Sequence, residues 1–478
     1  MSKKTALVWF RLDLRLDDNP ALHAALKGGG AVLPVFIWAP EEEAGWKPGG
    51  AVRYWLHQAL SGLEASLEKA GSRLIIRSGS SLEVLQQLIR ETQADAVFWN
   101  RRYEPELIRR DSAIKQALKE KGVQTETFNS AVLFEPWEVK TGSGTPFKVF
   151  TPFWNKCLTL DAPPEPLPAP AALPVPETWP KSQKLRQLGL EPAIDWAKGF
   201  GSTEDMTARG AEKFLKEFSA EAVAAYPEQR DLPAVRGTSR LSAYLHFGQI
   251  SPRRVWHSLR KQGRTSAAYL RQLGWRDFAH HLLYHFPKTP DHPLREEYAA
   301  FPWKNDRASL KLWQRGLTGY PLVDAGMREL WKTGWMHNRV RMVTASFLVK
   351  HLLIPWQRGA EWFWDTLVDA DLANNTLGWQ WTAGCGADAA PYFRVFNPVS
   401  QGEKFDPDAV YIRRWIPELA AMPAKWIHRP WEAPDEILDA AGVRLGRTYP
   451  KPMVDHEFAR RRTLAAYDEF KKQKPGAA

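Results

Sequence analysis

The chain has 478 residues, 44% hydrophobic and 25% charged, the balance of a globular protein and not of a disordered or collagen-like one. It carries 65 Lys and Arg against 54 Asp and Glu, a formal charge of +11 that points to an anionic partner, nucleic acid first. No apolar run approaches the roughly 18 residues of a membrane-spanning helix, and two cysteines, Cys157 and Cys385, can build neither a disulfide framework nor a four-cysteine iron–sulfur cluster.

The N-terminal stretch MSKKTALVWFRLDLR puts charges where a signal peptide needs its apolar segment, so a reducing, cytoplasmic setting is expected. The 23 tryptophans slightly outnumber the 22 phenylalanines, although Trp is normally the scarcest aromatic. A Trp-rich core would explain this. So would electron-transfer stations beside a redox cofactor, and composition leaves both open.

In chain order, short apolar runs at 6–10, 31–38, 73–77 and 96–100 read as buried parallel strands, with a last strand at 123–128. Helical patterns at 51–69, 81–92 and 106–121 return the chain between them, which predicts a doubly wound α/β domain over 1–130. Residues 131–199 are expected to link the domains. Within them, 161–181 (DAPPEPLPAPAALPVPETWPK) is too proline-rich for a helix and reads as an extended connector. From 200 to 478 the pattern is helical.

Several motifs are weak. RLDLRLDDNPALHAAL follows the first strand where a dinucleotide fold would carry GxGxxG. GSGTP at 142–146 lacks the GK[ST] of a phosphate loop and reads as a turn. His280, His281 and His285 have metal-ligand spacing but no accompanying HExxH glutamate, so no metal is assigned. Segment 230–276 holds ten basic residues and one acid, with Tyr244, Trp256, Tyr269 and Trp275 interleaved. That mixture predicts phosphate contacts together with base stacking.

The longer motifs are specific. GTSRLSAYLHFGQISPR (237–253), WQRGLTGYPLVDAGMRELWKTGWMHNRVRM (313–342), FWDTLVDADLANNTLGWQW (363–381) and DAAPYFRVFNPVSQGEKFDP (388–407) resemble the photolyase/cryptochrome family. VWFRLDLRLDDNPAL near the N-terminus and WAPEEEAGWKPGGAVRYWL at 38–56 do so too, and the whole set looks most like class III bacterial photolyases. The resemblance implies an α/β antenna domain, a long linker and an all-helical FAD domain. It implies an enzyme that splits cyclobutane pyrimidine dimers in UV-damaged DNA by electron transfer from photoexcited, reduced FAD. A cytoplasmic, DNA-associated monomer is expected.

Carried over by motif, the resemblance places Thr238, Ser239, Leu241 and Ser242 at the FAD phosphates and Arg240 among the FAD-binding residues. Tyr226, Tyr269, Arg276, Trp335, Asn338, Arg341, Asp369 and Asp371 fall at other FAD-contacting positions, and Asn375 opposite the flavin N5 atom. Plant cryptochromes carry aspartate there, so Asn375 argues for repair over signalling. Trp379, Trp356 and Trp303 match the family's chain for flavin photoreduction. Trp275 and Trp381 match the apolar walls around the dimer, with Asn338, Arg339, Met342 and Arg394 lining the same region. Eukaryotic (6-4) photolyases carry histidine at the position of Asn338, which favours a cyclobutane substrate. Gln272 stands where dimer photolyases normally have glutamate: it keeps a hydrogen-bond donor but cannot transfer a proton.

The Asn-Glu pair that class I enzymes use for folate reads here as Glu106-Leu107. Class III enzymes hold 5,10-methenyltetrahydrofolate in a pocket of their own, for which Trp38 and Glu106 are the candidates. The alternatives are a blue-light receptor of cryptochrome type, disfavoured by Asn375 and the short KKQKPGAA ending, and a flavin-containing nucleic-acid binder with neither activity.

Overall fold

The computed structural model of the protein describes residues 4–392 and 394–472. Strands β1 (Thr5–Phe10), β2 (Ala31–Trp38), β3 (Ile75–Ser78), β4 (Ala96–Asn100) and β5 (Gln124–Phe128) form one parallel sheet in the order β3-β2-β1-β4-β5. Helices α1 (Pro20–Lys27), α2 (Gly50–Lys69), α3 (Ser81–Thr92) and α4 (Pro105–Glu120) connect them. The inner strands are near-continuous apolar runs because helices cover both faces of the sheet. One face, with Leu7, Trp9, Val35 and Trp99, packs on α3 and α4, while Val8, Phe10 and Phe36 on the other join a core continuous with the helical half.

Two local differences from the sequence pattern have clear causes. Helix α1 was not expected, yet Asn19 accepts from the Leu22 N–H and Pro20 occupies the first turn, a standard helix start. Strand β3 begins two residues later than the apolar run, because Arg73 turns out to lie over the Trp179 ring and pairing starts at Ile75 with Val35.

Helix α5 (Phe150–Cys157) lies within 131–199. The proline-rich stretch after it is extended and follows the sheet, with Leu173 N–H donating to Ala70, Val32 N–H to Pro174 and Gln183 N–H to Ile76. The rest is helical: α6 (Ala208–Glu217), α7 (Tyr226–Gln229), α8 (Ser242–His246), α9 (Pro252–Arg260), α10 (Ala267–His285), α11 (Arg307–Gln314), α12 (Pro321–Thr333), α13 (Asn338–Ser346), α14 (Trp356–Thr366), α15 (Leu372–Ala383), α16 (Pro398–Phe405), α17 (Val410–Trp415), α18 (Ala424–Ile427), α19 (Asp435–Ala440) and α20 (His456–Lys472). A π-turn, Phe347–His351, follows α13.

Buried carboxylates pin the halves together. Asp18, fully buried, accepts from Ser251, from Arg253 and from the Leu167 N–H, joining the α/β domain, the connector and the helical domain at one group. Asp277 on α10 accepts from the Leu133 and Phe134 N–H groups.

Candidate functional site

Helices α10 and α15 pack against each other and carry seven of the candidate residues, Tyr269, Gln272, Trp275 and Arg276 on α10 and Asn375, Trp379 and Trp381 on α15. Midway along α15, Gly378 is exposed, and a Cβ built there would meet nothing within 4 Å. Glycine inside a helix costs about 0.5–1 kcal/mol relative to alanine, so the position is not explained by helix formation. It leaves a smooth backbone face between Asn375 and Trp381, of the kind a flat aromatic ring can approach. Asn375 is held beside it, its amide donating to the Ala360 carbonyl at 3.1 Å.

The GTSRLS turn precedes α8. Ser239 is buried and hydrogen-bonded to the Tyr269 hydroxyl at 2.8 Å, and the Leu241 N–H donates to the Ser239 hydroxyl. Tyr269 packs edge-on to Tyr226 at 5.3 Å, so these two and Leu241 form a closed base. Thr238 is half-buried and Ser242 exposed. Arg240 takes a left-handed backbone (φ 55°) that aims its guanidinium over the Trp335 ring at 4.5 Å. Because α8 has five residues, its dipole is short, and side-chain hydroxyls and the guanidinium are the groups suited to an anion here.

The charged groups are arranged in pairs. Arg341 donates to both Asp369 carboxylate oxygens, at 2.9 and 3.1 Å, and to the Met336 carbonyl. Asp371 caps α15 by accepting from the Asn374 N–H and side-chain amide, and lies 3.5 Å from His280. Burial opposes ionisation of Asp371, but His280, Arg276 and the Asn374 N–H outweigh it and hold the carboxyl well below the usual range. Arg276 donates to the Ala131 and Leu245 carbonyls. Of the FAD-type positions, the structure brings Tyr226, Ser239 and Tyr269 together and pairs Arg341 with Asp369, while Arg276 and Asp371 line a cleft shared with Asn100, Arg102 and Glu104 of the α/β domain. An open helix face, hydroxyls at a turn and fixed carboxylates suit a flavin dinucleotide.

The expected lesion walls, Trp275 and Trp381, lie on α10 and near the end of α15. Trp275 on α10 stacks on Phe150 of α5, centroids 3.9 Å apart and planes 9° from parallel, and Arg271 lies over Phe150 at 4.6 Å. Gly274 permits this packing, since a Cβ there would fall 2.3 Å from the Trp154 ring. Gln272, one turn before Arg276, is half-buried and donates to the Ala268 carbonyl at 3.3 Å. Trp381 is joined to the following loop, 384–397, by the Ala390 N–H. In that loop Asp388 accepts from the Phe150 N–H, which links the two walls, and Arg394 is exposed. Asn338 opens α13 with its amide 3.9 Å from the Met342 sulfur, and Arg339 is paired with Asp231 at 2.7 Å.

Trp379 and Trp356 are buried on the packed helices α15 and α14. Trp303 is tied to the chain just before Trp356 by the Lys304 N–H to the Leu353 carbonyl. The Phe363 and Trp313 rings also pack on Trp379, with centroids at 5.0 and 6.2 Å, and neither was expected from the sequence.

Trp38 and Glu106 line two neighbouring clefts and not a single one. Trp38 lies with Trp9, Arg11, Arg102 and His246 at the carboxyl ends of β1 and β2, the usual ligand crevice of such a sheet. Glu106 lies with Trp46, Pro290 and Leu372 between the domains. Glu43 and Trp364 line both clefts.

One expectation is corrected. Of the four aromatics singled out in segment 230–276, Tyr244, Trp256 and Tyr269 are buried and only Trp275 is left half-exposed for stacking. Three of its ten basic residues are neutralised: Arg253 pairs with Asp18, Arg254 with Glu212 and Arg236 with Glu217. The acids come from other segments, which a local count cannot see. The three histidines are engaged by backbone groups, His280 with Arg276, and His281 and His285 both with the Pro136 carbonyl. Sequence reading also missed Phe150, placed in the linker, and Gly378, whose signal was a glycine inside the helical pattern LGWQW.

Residues 6–171 match the model of the DNA photolyase domain, and residues 269–469 that of the FAD binding domain of DNA photolyase. The deoxyribodipyrimidine photo-lyase of Agrobacterium fabrum is 50% identical, the match covering 99% of this chain and all of that one. The chain belongs to the photolyase/cryptochrome family. Cryptochrome-2 of Arabidopsis thaliana is 42% identical over 96% of the chain and 78% of its own length. The crystal structure of a bacterial class III photolyase from Agrobacterium tumefaciens superposes with a TM-score of 0.95 at 48% identity, covering 99% of both chains.

Proposed function

We propose that this photolyase-family protein binds UV-damaged DNA and splits cyclobutane pyrimidine dimers under light, using FAD held in the helical domain. What carries the reading is the open α15 face at Gly378 together with the Trp275–Phe150 stack on α10, the helix packed against α15. Similarity to the Agrobacterium photo-lyase over the full chain supports it.

Bound and reduced, FAD supplies the photoexcited electron that opens the cyclobutane ring. Tyr226, Thr238, Ser239, Arg240, Leu241, Ser242 and Tyr269 hold its phosphates and adjoining atoms. Arg276, Trp335, Asn338, Arg341, Asp369, Asp371 and Asn375 fix the rest. Trp379, Trp356 and Trp303 serve its photoreduction. The dimer, which stacks and pairs poorly, leaves the duplex at lower cost than an intact pair and rests between Trp275 and Trp381. Gln272 and Asn338 direct amide N–H groups at its carbonyls, Met342 packs on it, Arg339, paired with Asp231, lines the same region, and Arg394 meets the flanking backbone. A cytoplasmic monomer is the setting this reading implies.

For the antenna, we place 5,10-methenyltetrahydrofolate along the joined clefts between Trp38 and Glu106. Glu43, held in a raised-pKa environment by burial, offers an acceptor for the pterin amino edge, and Trp46 and Trp364, edge-on at 5.3 Å, flank it.

The test compares binding of a duplex with one thymine dimer and the same duplex intact, at several salt concentrations. Both affinities should fall steeply with salt through counterion release, with the dimer preferred throughout. Trp275→Ala should remove the preference while leaving the salt slope nearly unchanged. Equal binding of the two duplexes by the unmodified protein would refute the reading.

A further inference from the structure

The loop 384–397 ends on an unusual support. Lys350, in the π-turn after α13, is 2% exposed, yet no carboxylate among the described residues forms an ion pair with it. Its ammonium donates to the Arg394 carbonyl at 2.7 Å and lies 5.6 Å from the Tyr392 ring centroid, while its own carbonyl accepts from Thr463 of α20. A buried ammonium without a counter-ion is costly, and a fold tolerates one where it does something a neutral side chain could not.

The loop explains what that is. It begins at Trp381, reaches Phe150 through Asp388, and ends with the Arg394 backbone on Lys350. Both lesion walls and the exposed arginine thus share one strip of chain. Asp388 is held with φ at 47°, so the loop is strained at the wall end and depends on its anchor at the other.

We propose that Lys350 is a positioning residue for lesion recognition: its ammonium fixes the Arg394 backbone, and the grip weakens when the ammonium loses its proton. The inference rests on the photolyase reading, through the role given there to Arg394. A charge-assisted hydrogen bond is about twice as strong as a neutral one, so deprotonation loosens the loop without unfolding it.

The surroundings favour loss of the proton. Arg394 faces Lys350 from the loop, with the Tyr392 hydroxyl. His351 adjoins it on the π-turn, and from α20 come His456, bonded to His351, and Arg462, which donates to the His351 carbonyl. None of these is an anion at neutral pH. Burial, with repulsion from Arg394, pushes the Lys350 amine down to about 7.

The experiment measures affinity for the thymine-dimer duplex and the intact duplex between pH 6 and 8.5, for the FAD-loaded protein and its Lys350→Met and Lys350→Arg variants. FAD absorbance reports folding. In the unmodified protein, preference for the dimer should fall by roughly tenfold across that range with a bend near 7. Lys350→Met should be flat at the weak level, and Lys350→Arg, always charged, flat at the tight level. A bend retained in either variant overturns the proposal, and if Lys350→Met does not fold, Lys350→Arg decides alone. Failure of the underlying reading looks different: the unmodified protein would then show no dimer preference at any pH, and both fall.

Discussion

Replacing Gly378 by alanine should stabilise the flavin-free protein and weaken flavin binding, two effects of opposite sign from one methyl group. In the structure the added Cβ meets nothing within 4 Å, so no steric cost offsets the helix preference for alanine. The flavin-free chain should gain about 0.5–1 kcal/mol. If the isoalloxazine ring lies against this face, the methyl stands in its contact layer. Overpacking of that kind costs about 1–3 kcal/mol, a roughly five- to hundredfold loss of FAD affinity. Urea unfolding of the flavin-free protein and titration with FAD by fluorescence quenching read the two effects separately. Undiminished FAD binding would place the ring elsewhere. A loss of stability in the flavin-free protein would show that the helix face is already filled by protein.

Trp379→Phe should reduce flavin photoreduction by an external donor to a small fraction of its rate, followed by absorption under blue light, and an unchanged rate would mean that the electron takes another route. Trp313, 6.2 Å from Trp379, is the first candidate for what remains. Gln272→Glu should raise repair per absorbed photon only a few-fold, about 1 kcal/mol, if hydrogen bonding is what this position contributes. A baseline near zero with a large gain in the glutamate variant would instead make proton transfer indispensable. His351, pushed down to about 3 by burial and by His456, stays neutral in the fold while the unfolded chain takes up a proton near 6.5. Stability is therefore lost as pH falls below that value, and His351→Gln should lose about 2 kcal/mol less between pH 7 and 4.5 by urea unfolding. Equal losses in the two proteins would count against it.

Sequence reading reached the sheet because buried parallel strands are written as continuous apolar runs, and β2 and β4 coincide with theirs. It could single out the motif residues because they sit in long contiguous stretches. It failed where partners come from afar. Three of the arginines of 230–276 are met by Asp18, Glu212 and Glu217, and Tyr244, Trp256 and Tyr269 are buried in the fold. Phe150 stacks on Trp275 across 125 residues of chain, and no local pattern in a proline-flanked segment announces that contact. Lys350 was invisible for the same reason: a lysine in an apolar run reads as a surface charge until Arg394 is placed over it.

The proposed chemistry needs an electron to leave, act and return, and the distribution of charge suits a round trip. A lone cation against the lesion would stabilise the reduced dimer, but it would also hold the electron there. The groups given to the lesion bases are neutral instead, the amide dipoles of Gln272 and Asn338 beside the Met342 thioether that packs on them. Such groups stabilise developing charge without the deep well of a full countercharge. The nearby arginines are largely answered: Arg341 by Asp369 and Arg339 by Asp231. Arg394, exposed, is left to the DNA backbone, whose own anions answer it on binding. On this view Gln272 belongs to a consistent design. A neutral donor stands where an ionisable one is usual, in a site that already keeps its fixed charges paired or turned toward phosphate.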